Sequence, residues 1–354
     1  MPTPIILLFG NNDSLSNEYS PVSSLKHTYD YGPFYATTPV NGIHSTYEIA
    51  MERGSIGWRD GFLSTGTYCS TTPITYPCLI NKNITYGYFT IYLAPNLRLI
   101  ALNGSACDGG KHNYTPRYVA DLEMAWLDQE LQKAAALNDY VLIASHAPSG
   151  TNVFNGSPHW RNANTVTFHQ LLGKYKNNII SVLFGHTHME ELKVLKDITG
   201  NIVGAEISTP ALSTGHGNAP AVKTFYLNSA RGHHGNQQWS VSNYKTFSFY
   251  PNTSNSNGFS LKKFDDFVSH YCPVNQKNIT NIFQCLPYVT PNKVFDNDSY
   301  YHYAVGNVKY KNTAVSDRDG IYITLPNTSN NSGLCSFIYS LYLTYIHRPF
   351  SRAI

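Results

Sequence analysis

The pattern that most restricts this chain is an alternation of short apolar runs with helical segments. "YVLIASH" (140–146) and "IISVLFG" (179–185) are nearly unbroken runs of Val, Ile, Leu and Phe, the signature of strands buried on both faces. Around them the period changes. Over 117–139, Leu122, Trp126, Leu127, Leu131 and Ala134 or Ala135 recur at three- and four-residue spacing, which predicts a helix. "HQLLGKYKN" (169–177) predicts a shorter one. Residues 5–9, 86–95, 97–103, 201–208 and 222–228 predict further strands, with Ala94-Pro95-Asn96 as a turn. Strands alternating with helices place the chain in the α/β class, a sheet layered with helices. Residues 14–90 are loop-rich. Near residue 229 the chain turns polar, and a helix is predicted over 261–271.

The bulk numbers bound the answer. At 354 residues and 42% hydrophobic the chain can bury a full core, as one large domain with a smaller appended region. Charged residues are only 13% and the net charge is +3. No cluster of Lys and Arg would track a phosphate backbone, so no nucleic-acid-binding surface is evident. No apolar run is long enough for a transmembrane segment. "MPTPIILLFG" lacks the basic start and cleavage site of a signal peptide. The six cysteines form no CxxC pair and sit in loop-like surroundings, which points to disulfides and an oxidising compartment. Cys69–Cys78 and Cys272–Cys285 are the expected pairs among the connectivities six cysteines allow. Glycan-acceptor patterns at Asn83, Asn103, Asn113, Asn278, Asn297 and Asn327 point the same way.

Three apolar runs end in candidate ligands: Gly10-Asn11-Asn12-Asp13, Ser145-His146-Ala147-Pro148 and Gly185-His186-Thr187-His188. Loops at the carboxyl ends of strands are where α/β sheets place their sites. If the three strands are neighbours, Asn11, His146, His186 and His188 converge. Imidazole nitrogens and an amide oxygen suit zinc or another first-row divalent ion. A single strand-end histidine is usually an ordinary residue; three such ends, two with glycine just before the ligand, carry the reading. Thr187 reads as structural, and His44 and His112 as surface histidines.

The order GN[HN][DE], then a strand ending in H-x-P, then GHTH resembles the calcineurin-like metallophosphoesterases. "LRLIALN", "LEMAWLDQEL", "VLIASHAPSG", "LFGHTHMEEL" and "ISTPALSTGHGNAPAVKTFYLN" resemble the acid sphingomyelinase-like phosphodiesterase branch, in the same order. The resemblance covers residues 5 to about 228 and continues weakly beyond. It implies a β-sandwich flanked by helices over 1–228, lacking its first strands, and a mixed, disulfide-bearing extension over 229–354. It implies a site of two metals, generally zinc, bridged by an aspartate and a hydroxide that attacks phosphorus. Asn11, His146 and His186 would bind the second metal and His188 the first. The implied activity is metal-dependent hydrolysis of a small-molecule or lipid phosphodiester, sphingomyelin among them, by a secreted or lysosomal glycoprotein.

The chain departs from that pattern in two ways. The family's D-x-H and Gly-Asp motifs occur nowhere in it. The expectation is an enzyme sequence truncated at its N-terminus, with fewer than two metals held by the ligands at hand. The alternatives are a catalytically impaired remnant that binds or scaffolds, and an active hydrolase of polyphosphate or nucleotides. The second departure is Asn12, where many members have His. Asn cannot act as a general acid at neutral pH, though it can donate a hydrogen bond. The catalytic residues therefore stay unassigned. The Tyr-rich segments 29–47 and 86–92 are candidates to line a substrate cleft.

Overall fold

A computed structural model describes residues 6, 8, 10, 68–70, 72–83, 87–109, 117–150, 158–188, 190–212, 220–232, 237–251, 259–290 and 322–325. Its centre is a parallel run of strands. β3 (Leu97–Ala101), β4 (Tyr140–Ala144), β5 (Ile179–Phe184) and β7 (Ile202–Ser208) lie side by side and parallel. On one flank β2 (Tyr88–Ala94) and β1 (Cys78–Asn83) add antiparallel. On the other, β6 (Glu191–Lys196) runs antiparallel to β7, and β11 (Tyr322–Thr324) parallel to β6. The eight strands stand in the order β1-β2-β3-β4-β5-β7-β6-β11. A second, antiparallel sheet joins β8 (Ala221–Arg231), β9 (Gln237–Pro251) and β10 (Phe259–Asp266) in the order β10-β9-β8. Its β9 packs on β5, so that Val241 and Tyr244 enter the core of the large sheet. The α/β class and its layering are those expected from the sequence.

Helix α1 (Arg117–Leu137) packs on β3, β4 and α2 (Asn162–Lys174). Its buried face differs from the apolar face read from sequence. Leu127, Leu131 and Ala134 are buried as expected, but Leu122 and Trp126 are half-buried while Glu123 and Glu130 are inside. Each carboxylate meets partners through its Oε1. Glu123 accepts from the Asn103 backbone N–H, and Glu130 accepts from Asn81 Nδ2 at 3.1 Å and Lys133 Nζ at 2.7 Å. Burial still pushes the Glu123 carboxyl up to about 8.

Two helix boundaries are corrected. α2 starts at Asn162 and ends at Lys174, not over 169–177, because Asn164, Phe168, Leu171 and Leu172 supply its buried stripe. Over 261–271 the chain is a strand to Asp266 and only then a short helix, α3 (Phe267–Tyr271), whose first N–H groups are capped by Asp266 through Ser269 N. Three strands within the described residues escape apolar patterning. β6 carries buried Glu191 and Lys193, β9 turns Tyr244, Thr246 and Ser248 inward at period two, and β1 lies in the loop-rich segment.

The disulfides Cys69–Cys78 and Cys272–Cys285 form as expected. Cys107 is buried and free. Of the acceptor asparagines, Asn278 is exposed, whereas Asn103 is buried and out of reach of a glycan. No helix among the described residues is long and apolar enough to cross a membrane. The predicted strand 5–9 falls mostly outside the described residues; of it, Ile6 and Leu8 are seen packed against the core.

Candidate metal centre

Parallel pairing of β4 and β5 brings their carboxyl ends together. Ala144 lies opposite Leu183, and the register continues past the strands as Ser145 N donates to Leu183 O at 3.0 Å and Gly185 N to His146 O at 2.9 Å. The two ligand-type loops are thus joined by main-chain hydrogen bonds. His146 and His186 meet across them, with His186 Nδ1 3.1 Å from His146 Nε2 and ring centroids 5.0 Å apart at 74°.

Both histidines of GHTH adopt left-handed backbone, His186 at φ 70° and His188 at φ 64°. Such a conformation is unfavourable for a side chain bearing Cβ, by about 1–2 kcal/mol. The glycine preceding them is not where the strain falls. Glu190, just beyond, anchors this loop to the second sheet: it accepts from Lys223 Nζ and, at 2.7 Å, from Thr246 Oγ1. Lys223 also donates to Ser208 O at 2.8 Å.

The electrostatics favour a neutral His146 ring. Burial, aided by the neighbouring His186 and His188, holds the His146 imidazole down to about 3. A neutral imidazole is the form that ligates a metal. Two imidazole nitrogens bound to one tetrahedral zinc at about 2.0–2.1 Å lie roughly 3.3–3.4 Å apart, close to the observed 3.1 Å. The same 3.1 Å is a hydrogen bond between the two rings, so a shared divalent ion would take the place of that bond. A complete shell does not stand among the described residues, where no group of three or more His, Cys, Asp or Glu side chains is arranged to hold a metal. His188 is close enough to His146 to depress its proton affinity. Asn11 and Asn12 lie outside the described residues. Gly10, immediately before Asn11, is seen against His146: a Cβ there would lie 2.8 Å from Cε1 of the ring. Gly10 thus lies at this corner of the molecule.

Sequence reasoning missed His159. It is buried, its ring stands 5.5 Å edge-on from that of His186, and its Nε2 finds no partner among the described residues. Burial, with Lys193, His186 and His146 nearby, pushes it down to about 2. No apolar run leads into it and no glycine stands directly before it. The adjoining buried Trp160 is the only hint of its placement. Trp160 packs on Phe168 and donates from Nε1 to Ala147 O at 3.2 Å, tying this segment to the His146 loop.

The fold and this corner define a layered α/β protein whose candidate site lies at the carboxyl ends of parallel strands. No family model matches the chain. Among curated proteins it is 30% identical to sphingomyelin phosphodiesterase 2 of Caenorhabditis elegans, over 31% of this chain and 17% of that protein. It is 26% identical to sphingomyelin phosphodiesterase A of Dictyostelium discoideum, over 39% of this chain and 24% of that protein. It is 25% identical to cyclic GMP-AMP phosphodiesterase SMPDL3A of Rattus norvegicus, over 39% of this chain and 33% of that protein. The matches thus span a third or less of these relatives' lengths. They relate the chain to the acid sphingomyelinase-like branch of the calcineurin-like metallophosphoesterases, as its motifs implied. A putative 5′-nucleotidase from Staphylococcus aureus overlaps it at TM-score 0.26 and 11% identity, over 61% of this chain and 35% of that one, a likeness too slight to bear on the fold.

Proposed function

We propose that the chain is a metal-dependent phosphodiester hydrolase of the acid sphingomyelinase-like kind, with Asn11, His146, His186 and His188 as its zinc ligands. The observation that carries this reading is the meeting of His146 and His186 at the ends of adjacent parallel strands, at a nitrogen spacing that suits one cation. A divalent ion held there supplies Lewis acidity toward a phosphoryl oxygen. The chain's own residues hold and orient. Strand pairing fixes the separation of the two loops, burial keeps His146 free of a proton, and Gly10 leaves room for its ring. Asn12 offers a hydrogen bond to a phosphoryl or leaving oxygen and no proton. Residues 1–228 form the catalytic unit in this reading and 229–354 its extension. The two disulfides suit a secreted or lysosomal setting.

The test is zinc-dependent hydrolysis of bis-p-nitrophenyl phosphate by the full chain, then a panel of sphingomyelin, a cyclic dinucleotide, a nucleotide and polyphosphate to fix the substrate class. Turnover abolished by His186→Ala supports the reading; turnover unaffected by zinc removal and by His186→Ala sinks it. A second reading, a binding protein without turnover, is favoured by the incomplete ligand shell among the described residues. It expects substoichiometric zinc and no hydrolysis of any member of the panel.

A further inference from the structure

Behind the candidate centre lies a buried polar cluster that the metal reading leaves unused. It converges on Ser149, three residues after His146. The Ser149 hydroxyl donates to Glu206 Oε1 at 2.5 Å and lies 2.8 Å from His169 Nε2, while its carbonyl accepts from Lys193 Nζ at 3.0 Å. Lys193 and Glu206 are direct cross-strand partners in β6 and β7, and His169 comes from α2. All four residues are buried, Ser149 completely.

The arrangement is not a nucleophile. Ser149 is closed to solvent, so no substrate reaches it. The carboxylate of Glu206 approaches the same nitrogen of His169 that Ser149 does, at 4.0 Å, instead of orienting the ring from Nδ1 as a relay requires. Burial pushes the Glu206 carboxyl up to about 7; when it is ionised it takes the hydroxyl's one proton, and Ser149 is then the acceptor for a proton on His169 Nε2.

We infer that Ser149, gripped by Lys193, Glu206 and His169, is the positioning residue that sets the His146 loop against the GHTH loop. Burying this many polar groups is unfavourable, and a loop that needed only packing would be served by an apolar side chain. Directional bonds instead fix where the loop lies, and they come from three separate elements. Two further ties hold the same loop. Trp160 Nε1 donates to Ala147 O, and His159 N donates to Gly150 O at 2.9 Å. Ser149 acts on the ligands through the main chain between 146 and 149. The inference rests on the metal reading for its functional weight, but its geometry is testable without metal.

The experiment pairs two measurements on the full chain: zinc affinity by competition titration, and, in metal-free protein, the nuclear Overhauser contact between the His146 and His186 rings. Ser149→Ala and Glu206→Leu are expected to weaken zinc binding by about 10–100-fold, as loss of a group that orients a ligand does. They should also lose the inter-ring contact. Glu206→Gln keeps an acceptor for the hydroxyl and should restore both toward wild type, which a merely volume-filling role would not do. Leu131→Ala, a core change away from the loop, should lower stability and leave both readouts alone. Should Ser149→Ala fail to fold, Ser149→Cys, nearly the same size with weaker hydrogen bonds, takes its place and is read the same way. Wild-type zinc affinity and an intact ring contact in the Ser149 and Glu206→Leu variants would overturn the inference. If instead His186→Ala binds zinc as wild type does, the metal reading fails, and the ring contact alone still decides the clamp.

Discussion

The two ends of the parallel strands are both rich in polar side chains, and they are built in opposite ways. At the amino end, Asp139 sits between Arg98 Nε and the Tyr92 hydroxyl, each 2.6 Å from Oδ2, while Asn96 reaches Oδ1 at 3.2 Å and Asn178 Nδ2 holds the Asp139 carbonyl at 3.0 Å. Arg98 and Asp139 are buried and mutually satisfied, and the Tyr92 phenol is pushed up to about 12 by burial and by Asp139. At the carboxyl end, neutral imidazoles crowd together, two residues hold left-handed backbone, and His159 Nε2 is buried without a partner among the described residues. One end holds satisfied ion pairs and hydrogen bonds; the other holds crowded imidazoles, one of them with a buried nitrogen that meets no partner among the described residues. Strained backbone and unsatisfied polar groups cluster at functional sites, and α/β sheets place those sites at the carboxyl ends of their strands.

Mutations at the two ends should therefore separate function from stability. The largest effect expected is on turnover: His186→Ala should lower zinc-dependent hydrolysis on the order of 10²–10³-fold, the several kcal/mol a Lewis acid contributes, with urea stability nearly unchanged. Asp139→Ala should do the reverse. It leaves Arg98 buried and unpaired, and should reduce unfolding free energy by about 3–5 kcal/mol with activity per folded molecule retained. Equal stability losses at the two ends would erase the contrast.

The acid response belongs to the carboxyl end. Burial holds His169 down to about 4, whereas in the unfolded chain it titrates at its ordinary 6.5. Between those values the unfolded state binds the extra proton, so this contribution is whole above pH 6.5 and is lost as the pH falls. His169→Gln should flatten the acid limb of a stability–pH curve by about 1.4 kcal/mol per pH unit in that window. An unchanged limb would mean that the ring is not buried as described.

Smaller effects probe the geometry itself. Gly10→Ala places a methyl carbon against the His146 ring. Activity should fall on the order of tenfold, short of the 10²-fold that a misplacement of about 1 Å can cause, with little loss of stability. Smallest of all, His188→Gly should be more stable than His188→Ala by about 1 kcal/mol, because glycine relieves the left-handed backbone. Should Ala and Gly at 188 prove equally stable in urea titrations, the strain is not there.

The histidine corner was legible because His146 and His186 sit at the ends of strands that read as strands. β4 and β5 are apolar but for Ser181, and their register alone brings 146 to 186. Illegible parts share a cause: polar residues turned inward. Glu123 and Glu130 rotate the face of α1 away from its apolar pattern, Lys193 hides β6, and Thr246 and Ser248 hide β9. Glu123, Glu130, Lys193 and Thr246 are each buried against a partner distant in sequence, which no local period reveals. His159 was hidden for the same reason, since only the folded chain brings it beside His186. The Ser149 cluster, assembled from β6, β7 and α2, was beyond any motif.

The most direct test of the centre is X-ray absorption on the zinc-loaded full chain. At least two imidazole nitrogens per zinc at about 2.0–2.1 Å, reduced in His146→Ala and in His186→Ala, is the result expected. Zinc that does not bind, or a first shell without imidazole that neither substitution alters, would contradict it.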